Sequence, residues 1–159
     1  MNDKKKSATV FSAPGDREIR VERIFDAPRE KVWRAYTEPK LIAQWWGRGR
    51  KMTVERMEVK RGGRWRFVVD GEFGVQGFEG RYREVTAPER IVQTFEWDGA
   101  PGFVVIETIE LTDLGNGQTR LVNTSLTHTA EERDNILKSG MQKGAEESHA
   151  ALDELLGEI

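Results

Sequence analysis

From residue 50 to about residue 127 the sequence alternates apolar and polar residues, and this period of two constrains the fold more than any other feature. Turn residues divide the run into six segments, predicted as strands near residues 52–60, 64–70, 74–86, 90–98, 103–113 and 118–127. The turns between them are short, as at Asp70-Gly71 and Gly115-Asn116-Gly117. Because short turns join antiparallel neighbours, the six segments predict an antiparallel meander.

The segments on either side of this run predict one further strand and three helices. Residues 18–28 begin with strand-like alternation, and residues 29–36 and 39–46 carry apolar residues at helical spacing. Residues 129–159 read as one long helix, opened by Thr129 with Glu132 in a capping-box pattern. The order predicts an α+β fold, in which a curved antiparallel sheet of about seven strands packs against a long C-terminal helix, with two short helices after strand 1.

Length and composition narrow the class of protein further. The chain has 159 residues, enough for one domain, and we expect a flexible N-terminal arm over 1–16 and a single domain over 17–159. The absence of cysteine excludes disulfides, thiolate zinc sites and cysteine nucleophiles. Neither a signal-peptide pattern nor a membrane-spanning run is evident, so the sequence predicts a cytoplasmic protein.

The charge distribution is uneven, because residues 48–66 hold eight Lys or Arg against two acids in a chain of net charge −2. Such a stretch can bind nucleic acid. Here the charges alternate with apolar residues, as the solvent face of a sheet does, so nucleic-acid binding is not expected. His128 and His149 are too far apart in sequence for a helical ligand pair, and no nucleotide-binding fingerprint occurs. We therefore expect neither a metal nor a cofactor.

Several segments occur together in an order typical of one family: IFDAPREKVWRAYTEPKLIAQWW, KRGGRWRF, GRYREVTAPERIVQTFEW, NGQTRLVNTSLTH and SGMQKGAEESHAALDELL. They resemble bacterial proteins related to the C-terminal domain of the activator of heat shock protein 90 ATPase, in the START-like (SRPBCC) superfamily. The resemblance covers roughly residues 17–157. It implies a helix-grip fold with an elongated cavity between the sheet and the long helix. The chaperone activators carry an additional N-terminal domain, so a chaperone interaction is not expected from this chain.

Strand and helix periodicity predicts which side chains line that cavity. The candidate ligand-binding residues are Trp45, Trp46, Trp65, Phe67, Phe78, Gln93, Phe95, Trp97, Val105, Glu107, Asn123, Met141 and Ala145. Most of them are apolar, as in a core or a ligand pocket. The polar members Gln93, Glu107 and Asn123 are more informative, because a closed core would leave them without partners.

Glu107 is the candidate catalytic residue, and it stands between Val105 and Ile109 on the apolar face. A carboxyl group there should have a raised pKa and could act as an acid or base, or hold a basic ligand. Equally, it could be a strand-end glutamate paired with Arg120. Of the adjacent pair Trp45 and Trp46, one ring should pack inward. The other should border the cavity beside the glycine-rich segment 47–50, which could act as a lid.

Three functional hypotheses follow. The first is a module that binds a small hydrophobic or amphipathic molecule. The second is a cofactor-independent cyclase, lyase or hydrolase that uses Glu107 as acid or base. The third is a co-chaperone-like interaction module that uses the basic segment 48–66 and the acidic C-terminal helix. The sequence leaves the oligomeric state open, and a homodimer is compatible with it.

Overall fold

The computed structural model describes residues 8–159 and consists of one antiparallel sheet and four helices. The strands are β1 (Val10–Ser12), β2 (Glu18–Phe25), β3 (Met52–Met57), β4 (Arg64–Gly71), β5 (Gly74–Thr86), β6 (Arg90–Trp97), β7 (Val105–Gly115) and β8 (Gln118–Leu126). The helices are α1 (Arg29–Thr37), α2 (Pro39–Trp45), α3 (Ala130–Lys138) and α4 (Met141–Glu158). This is the predicted α+β helix-grip architecture.

The sheet has the order β1-β2-β8-β7-β6-β5-β4-β3, and every neighbouring pair is antiparallel. Strands β3 to β8 follow one another along the chain and across the sheet, so the predicted meander is confirmed. The sheet contains one strand more than predicted, since Val10–Ser12 pairs with β2 inside the segment expected to be a flexible arm. Residues 1–7 of that expected arm lie outside the described residues.

Local sequence signals explain where the helices begin and end. Pro39 is the first residue of α2, where its missing N–H costs no hydrogen bond. The Thr129 hydroxyl accepts a hydrogen bond from the Glu132 amide at 3.1 Å and so caps α3. None of the helices in the described part of the chain is long and apolar enough to cross a membrane.

The predicted single C-terminal helix is wrong in one respect, because it is divided into α3 and α4. Gly140 adopts the left-handed conformation with φ 85° and ends the helical path after Ser139. Glycine reaches this conformation without a steric penalty. The apolar periodicity continues through residue 140, so the pattern alone did not reveal the change of direction.

The core lies under the C-terminal half of α4. Leu152, Leu155 and Leu156 are buried there in one cluster with Phe25 of β2 and Leu121 of β8. The N-terminal half of α4 has no fully buried residue before His149. The helix therefore packs closely on the sheet at one end only, and this asymmetry positions the site.

The basic segment 48–66 takes part in exposed ion pairs on the outer side of the strands. Arg66 contacts Glu55, Glu79 and Asp98 at 2.7–3.1 Å. Arg56 pairs with Glu58 at 3.3 Å. These contacts match the interpretation of the segment as a solvent-facing surface with charges of both signs.

Candidate functional site

Two adjoining cavities lie between the sheet and the two C-terminal helices. The inner one has a volume of about 280 Å³ and the outer one about 720 Å³. Four residues line both: Phe95, Glu107, Ser125 and Met141. These four side chains therefore mark the boundary across which a molecule would extend from one space into the other.

Aromatic rings form much of the wall. The centroid of the Trp46 ring lies 5.1 Å from that of Phe67 and 5.1 Å from that of Phe78, both near-perpendicular. The ring centroids of Phe78 and Phe95 lie 5.6 Å apart. Edge-to-face contacts of this kind hold rings in fixed positions. The wall is consequently a preformed apolar surface.

The adjacent tryptophans point in different directions and have different roles. Trp45 is 3% exposed, and its indole N–H donates a 2.9 Å hydrogen bond to the carbonyl of Ala35. It stacks at 4.7 Å on Tyr36 and fixes α2 to α1. Trp46 is only partly buried and extends over the sheet. Both line the inner cavity, and Trp46 contributes the aromatic wall.

A row of polar side chains crosses the floor of the cavities. Gln93 of β6, Glu107 of β7 and Ser125 of β8 are directly opposite one another in the strand register. Gln93 Nε2 donates a 3.0 Å hydrogen bond to Glu107 Oε1. Asn123 is diagonal to Glu107 and interacts with its carboxyl group as well. The alternation of the strands thus brings these four polar side chains onto an otherwise apolar face.

Burial raises the pKa of the Glu107 carboxyl group, while the hydrogen bonds from Gln93 and Asn123 oppose that rise. Glu107 lines both cavities, so its accessible surface faces the hollow. Burial also raises the pKa of the Tyr36 hydroxyl, and the nearby Glu107 adds to the rise. The Glu107 carboxyl group is therefore suited to change its protonation state in response to a ligand.

His149 of α4 lies at the opposite wall of the inner cavity. Its Nδ1 is 3.1 Å from Thr9 Oγ1, which accepts a 2.9 Å hydrogen bond from Arg23. Arg23 also forms an ion pair with Asp153 of α4. Burial, with the positive charge of Arg23, lowers the pKa of His149 to about 4. His149 is therefore a neutral side chain at pH 7.

The outer cavity lies beside α3 and the segment between β6 and β7. Phe103, which lines it, is 57% exposed. Arg48 lies at the same cavity, with φ 59°, and its guanidinium contacts Glu147 of α4 at 3.3 Å. A β-carbon at Gly144 would lie 2.9 Å from Arg48 Nη1, so the absence of a side chain there leaves room for the arginine. Arg48 thus connects the segment 47–50 with the helix that covers the cavity.

Most of the residues predicted to bind a ligand line these cavities. The inner cavity is lined by Trp45, Trp46, Phe67, Gln93, Phe95, Glu107, Asn123, Met141 and Ala145, and the outer by Phe78, Trp97 and Val105 as well as the shared residues. Trp65 lines neither, because it packs behind Phe67 at 4.8 Å and over Gly80. That the lining residues bind a ligand stays a prediction.

Sequence reasoning missed Tyr36, His149 and the contribution of α3 to the lining. Helical spacing could have found His149, because it follows Ala145 by four residues and precedes Leu152 by three. The α3 residues could not be found in this way, because their position depends on the break at Gly140. Within residues 8–159, no group of three or more potential ligands is placed to hold a metal ion.

Comparisons with known proteins agree with this architecture. A family model described as Activator of Hsp90 ATPase homolog 1-like protein matches residues 26–157. A crystal structure from Rhodobacter sphaeroides is 28% identical, covers 95% of this chain and 99% of its own, and superposes with a TM-score of 0.86. One from Chromobacterium violaceum is 29% identical over 87% of this chain and 96% of its own, with a TM-score of 0.74.

A more distant crystal structure, from Mycobacterium smegmatis, has a TM-score of 0.84 at 20% identity, with 93% of this chain and 96% of that one covered. At that identity the likeness concerns the fold alone. No curated protein of known function matches the chain. The comparisons therefore define a family and a fold, and they leave the ligand to be inferred from the site.

Proposed function

We propose that this chain, which belongs to the family of Activator of Hsp90 ATPase homolog 1-like proteins, binds a small, mainly apolar or amphipathic molecule in the two adjoining cavities. The family has a ligand-binding fold. The apolar part lies against the aromatic wall, and a polar group contacts Gln93, Glu107 and Asn123.

The observation that carries this proposal is the gap between the sheet and the N-terminal half of α4. Protein interiors are otherwise close-packed, and the atoms that line an unfilled space lose van der Waals contacts on that side. The walls of the inner cavity, of about 280 Å³, lose such contacts over a large surface. A hollow of this size is best explained if a molecule fills it.

The composition of the walls favours an organic molecule over water alone. A buried water needs two to four polar partners, and the rings of Phe67, Phe78 and Phe95 supply none. A largely apolar pocket with a few convergent polar groups is typical of small-molecule sites. The polar row on the floor would fix the orientation of the ligand.

A neutral fluorescent probe, N-phenyl-1-naphthylamine, tests the proposal. We expect its fluorescence to rise saturably with the wild-type chain. Ala145→Phe fills the inner cavity and should weaken binding by at least about 10-fold, which corresponds to about 1.4 kcal/mol. Ala150→Phe, on the exposed face of the same helix, is the matched control and should bind like wild type. An absence of saturable binding to wild type, or equal binding by Ala145→Phe, would contradict the proposal.

A second candidate function is acid–base catalysis by Glu107, favoured by the raised pKa of a carboxyl group that faces a cavity. Hydrogen bonds from Gln93 and Asn123 would hold that carboxyl group in one orientation. The two functions differ in their response to Glu107→Gln. An enzyme would lose turnover of its substrate while it retained binding of the neutral probe, whereas a binding protein has no turnover to lose.

A further inference from the structure

The inner cavity holds one acidic group, and none of the described residues that line it is a lysine or an arginine. Its only basic side chain is His149, which is neutral at pH 7 because its pKa is lowered to about 4. Arg48 borders the outer cavity and is paired with Glu147. Among the described residues that line the inner cavity, Glu107 is consequently the group that can carry a charge at pH 7, and Arg23 beside His149 is itself paired with Asp153.

One hydrogen-bond acceptor at the floor of the inner cavity is left without a partner. Gln93 and Asn123 direct their amide groups to Glu107. The Asn123 Oδ1 atom is buried and has no hydrogen-bond partner among the described residues. Both Glu107 and Asn123 line the inner cavity, so the carboxyl group and this amide oxygen lie beside the same space. A ligand group that donates hydrogen bonds would satisfy both.

The rings next to this acceptor pair favour positive charge as well. Phe95 lies two residues from Gln93 on the same strand and is diagonal to Glu107 in the register, so both side chains occupy the same face. Trp46 lies 6.5 Å from Phe95, centroid to centroid. The faces of aromatic rings carry negative potential and attract ammonium groups. Acceptors and rings together describe a site for a cation.

We propose that the ligand is an organic amine, whose protonated nitrogen lies between Glu107 and Asn123 while its apolar body lies against the aromatic wall. This inference rests on the proposed binding function and names the chemical class of the ligand. A carboxylate ligand would find no lysine or arginine among the described residues that line the inner cavity, and an ionised Glu107 would repel it. A neutral alcohol of the same shape could donate only one hydrogen bond and would gain no charge–charge attraction.

Three probes of nearly equal size test the proposal: 2-phenylethylamine, 2-phenylethanol and phenylacetate. Calorimetric titration into the wild-type chain at pH 7 should show the amine binding at least about 10-fold more tightly than the alcohol, and phenylacetate binding least. Glu107→Gln should reduce the amine preference to within about 3-fold. Glu110→Gln makes the same change on the opposite face of β7, where Glu110 contacts Arg90, and should leave the preference intact.

The outcomes separate this inference from the function it rests on. Alcohol or phenylacetate binding as tightly as the amine, or an amine preference that survives Glu107→Gln, would overturn the amine assignment. So would binding of N-phenyl-1-naphthylamine without binding of 2-phenylethylamine. If none of 2-phenylethylamine, 2-phenylethanol and N-phenyl-1-naphthylamine binds, the proposed function itself is overturned and the inference with it.

A measurement on the wild-type chain keeps the inference testable should Glu107→Gln not fold. The amine, like a lysine side chain, stays protonated between pH 5 and 8, so a change in the amine-to-alcohol affinity ratio there reports on the protein. The other titratable side chains among the described residues that line the inner cavity are Tyr36 and Tyr82, neutral throughout, and His149, neutral above about pH 5. Glu132 of α3 and Arg48 line the outer cavity, and the profile is repeated with Glu132→Gln.

The ratio should fall as the pH falls toward the raised pKa of Glu107, because the amine then loses its carboxylate partner. The Glu132→Gln variant should show the same decline. A ratio that stays constant across this range would overturn the inference.

Discussion

Glu107 and His149 line the same inner cavity, yet they make the free energy of unfolding depend on pH in opposite directions. Burial disfavours the charged form of each group. For the acid the charged form predominates at high pH, and for the base it predominates at low pH. Their contributions to stability therefore have to be separated by substitution, because the wild-type profile contains both.

For His149 we predict a loss of stability as the pH falls. Its folded pKa of about 4 lies below the unfolded value of 6.5, so the unfolded chain takes up the proton first. The stabilisation is complete above pH 6.5 and is lost as the pH falls toward 4. Since one pKa unit corresponds to about 1.4 kcal/mol, the full loss is roughly 3 kcal/mol. When measured by urea unfolding, the stability of His149→Leu should not show this slope with pH. His128→Gln changes an exposed histidine and should retain it, and a slope that persists in His149→Leu would contradict the assignment.

For Glu107 we predict a fall in stability as the pH rises. Its folded pKa lies above the ordinary value of 4.5, so the folded state holds the proton more tightly than the unfolded state does. Stability is greatest below pH 4.5 and declines up to the raised pKa. Glu107→Gln should remove the decline and raise the melting temperature at pH 7. The exposed control Glu110→Gln should change stability by no more than about 0.5 kcal/mol. Equal pH profiles for Glu107→Gln and wild type would contradict this prediction.

At the scale of the elements, Gly140 and Gly144 of the C-terminal segment have different functions. Gly140 ends α3 with φ 85°, and no atom lies within 4 Å of where its β-carbon would be. Gly144 lies inside α4, against Arg48. Gly140 is needed because it adopts a left-handed backbone conformation, and Gly144 is needed because Arg48 occupies the space where a side chain would lie.

Alanine at each position should therefore have opposite effects on the free energy of unfolding. Gly140→Ala places a side chain in the left-handed region and should destabilise the chain by about 1–2 kcal/mol. Gly144→Ala improves helix propensity and should stabilise it by up to about 1 kcal/mol. It should also displace the flexible Arg48 side chain from Glu147 and speed probe exchange at the outer cavity. Urea denaturation and stopped-flow release of N-phenyl-1-naphthylamine measure the two effects, and equal destabilisation by both would contradict this account.

The elements also show what the sequence could and could not predict. Six strands and their order followed from alternation and turn residues, because both are local signals. β1 was missed, since three residues are too few for a periodic pattern and its pairing depends on β2. The division at Gly140 was missed because apolar spacing continues through it. The polar row was found because alternation fixes which face a side chain takes. Helical spacing could have found His149 in a similar way, whereas the place of Tyr36 depends on how α1 approaches the sheet.

At the scale of the whole molecule, the structure combines a packed end and a hollow end under one helix. Leu152 and Leu155 bury the C-terminal half of α4 and provide the packing there. Met141, Ala145 and Ser148 belong to the same helix and line the inner cavity. Because the packed end fixes α4 in place, the hollow end can stay open without collapse of the fold. The N-terminal half of α4 thus borders the cavity, and the C-terminal half provides the packing that stabilises the fold.

This division predicts that filling the hollow stabilises the protein while it removes binding. Ala145→Phe places a ring in the cavity of about 280 Å³, where it gains apolar contacts, and should raise the free energy of unfolding by roughly 1–2 kcal/mol. At 100 times its Kd, 2-phenylethylamine should raise the free energy of unfolding of wild type by about 2.7 kcal/mol through mass action, and the melting temperature with it. It should not affect Ala145→Phe. Ala150→Phe separates the effect of a new ring from the effect of filling the cavity, because its side chain is exposed. Overpacking of a closed core costs about 1–3 kcal/mol, so destabilisation by Ala145→Phe of that size would mean that the sheet and α4 already meet.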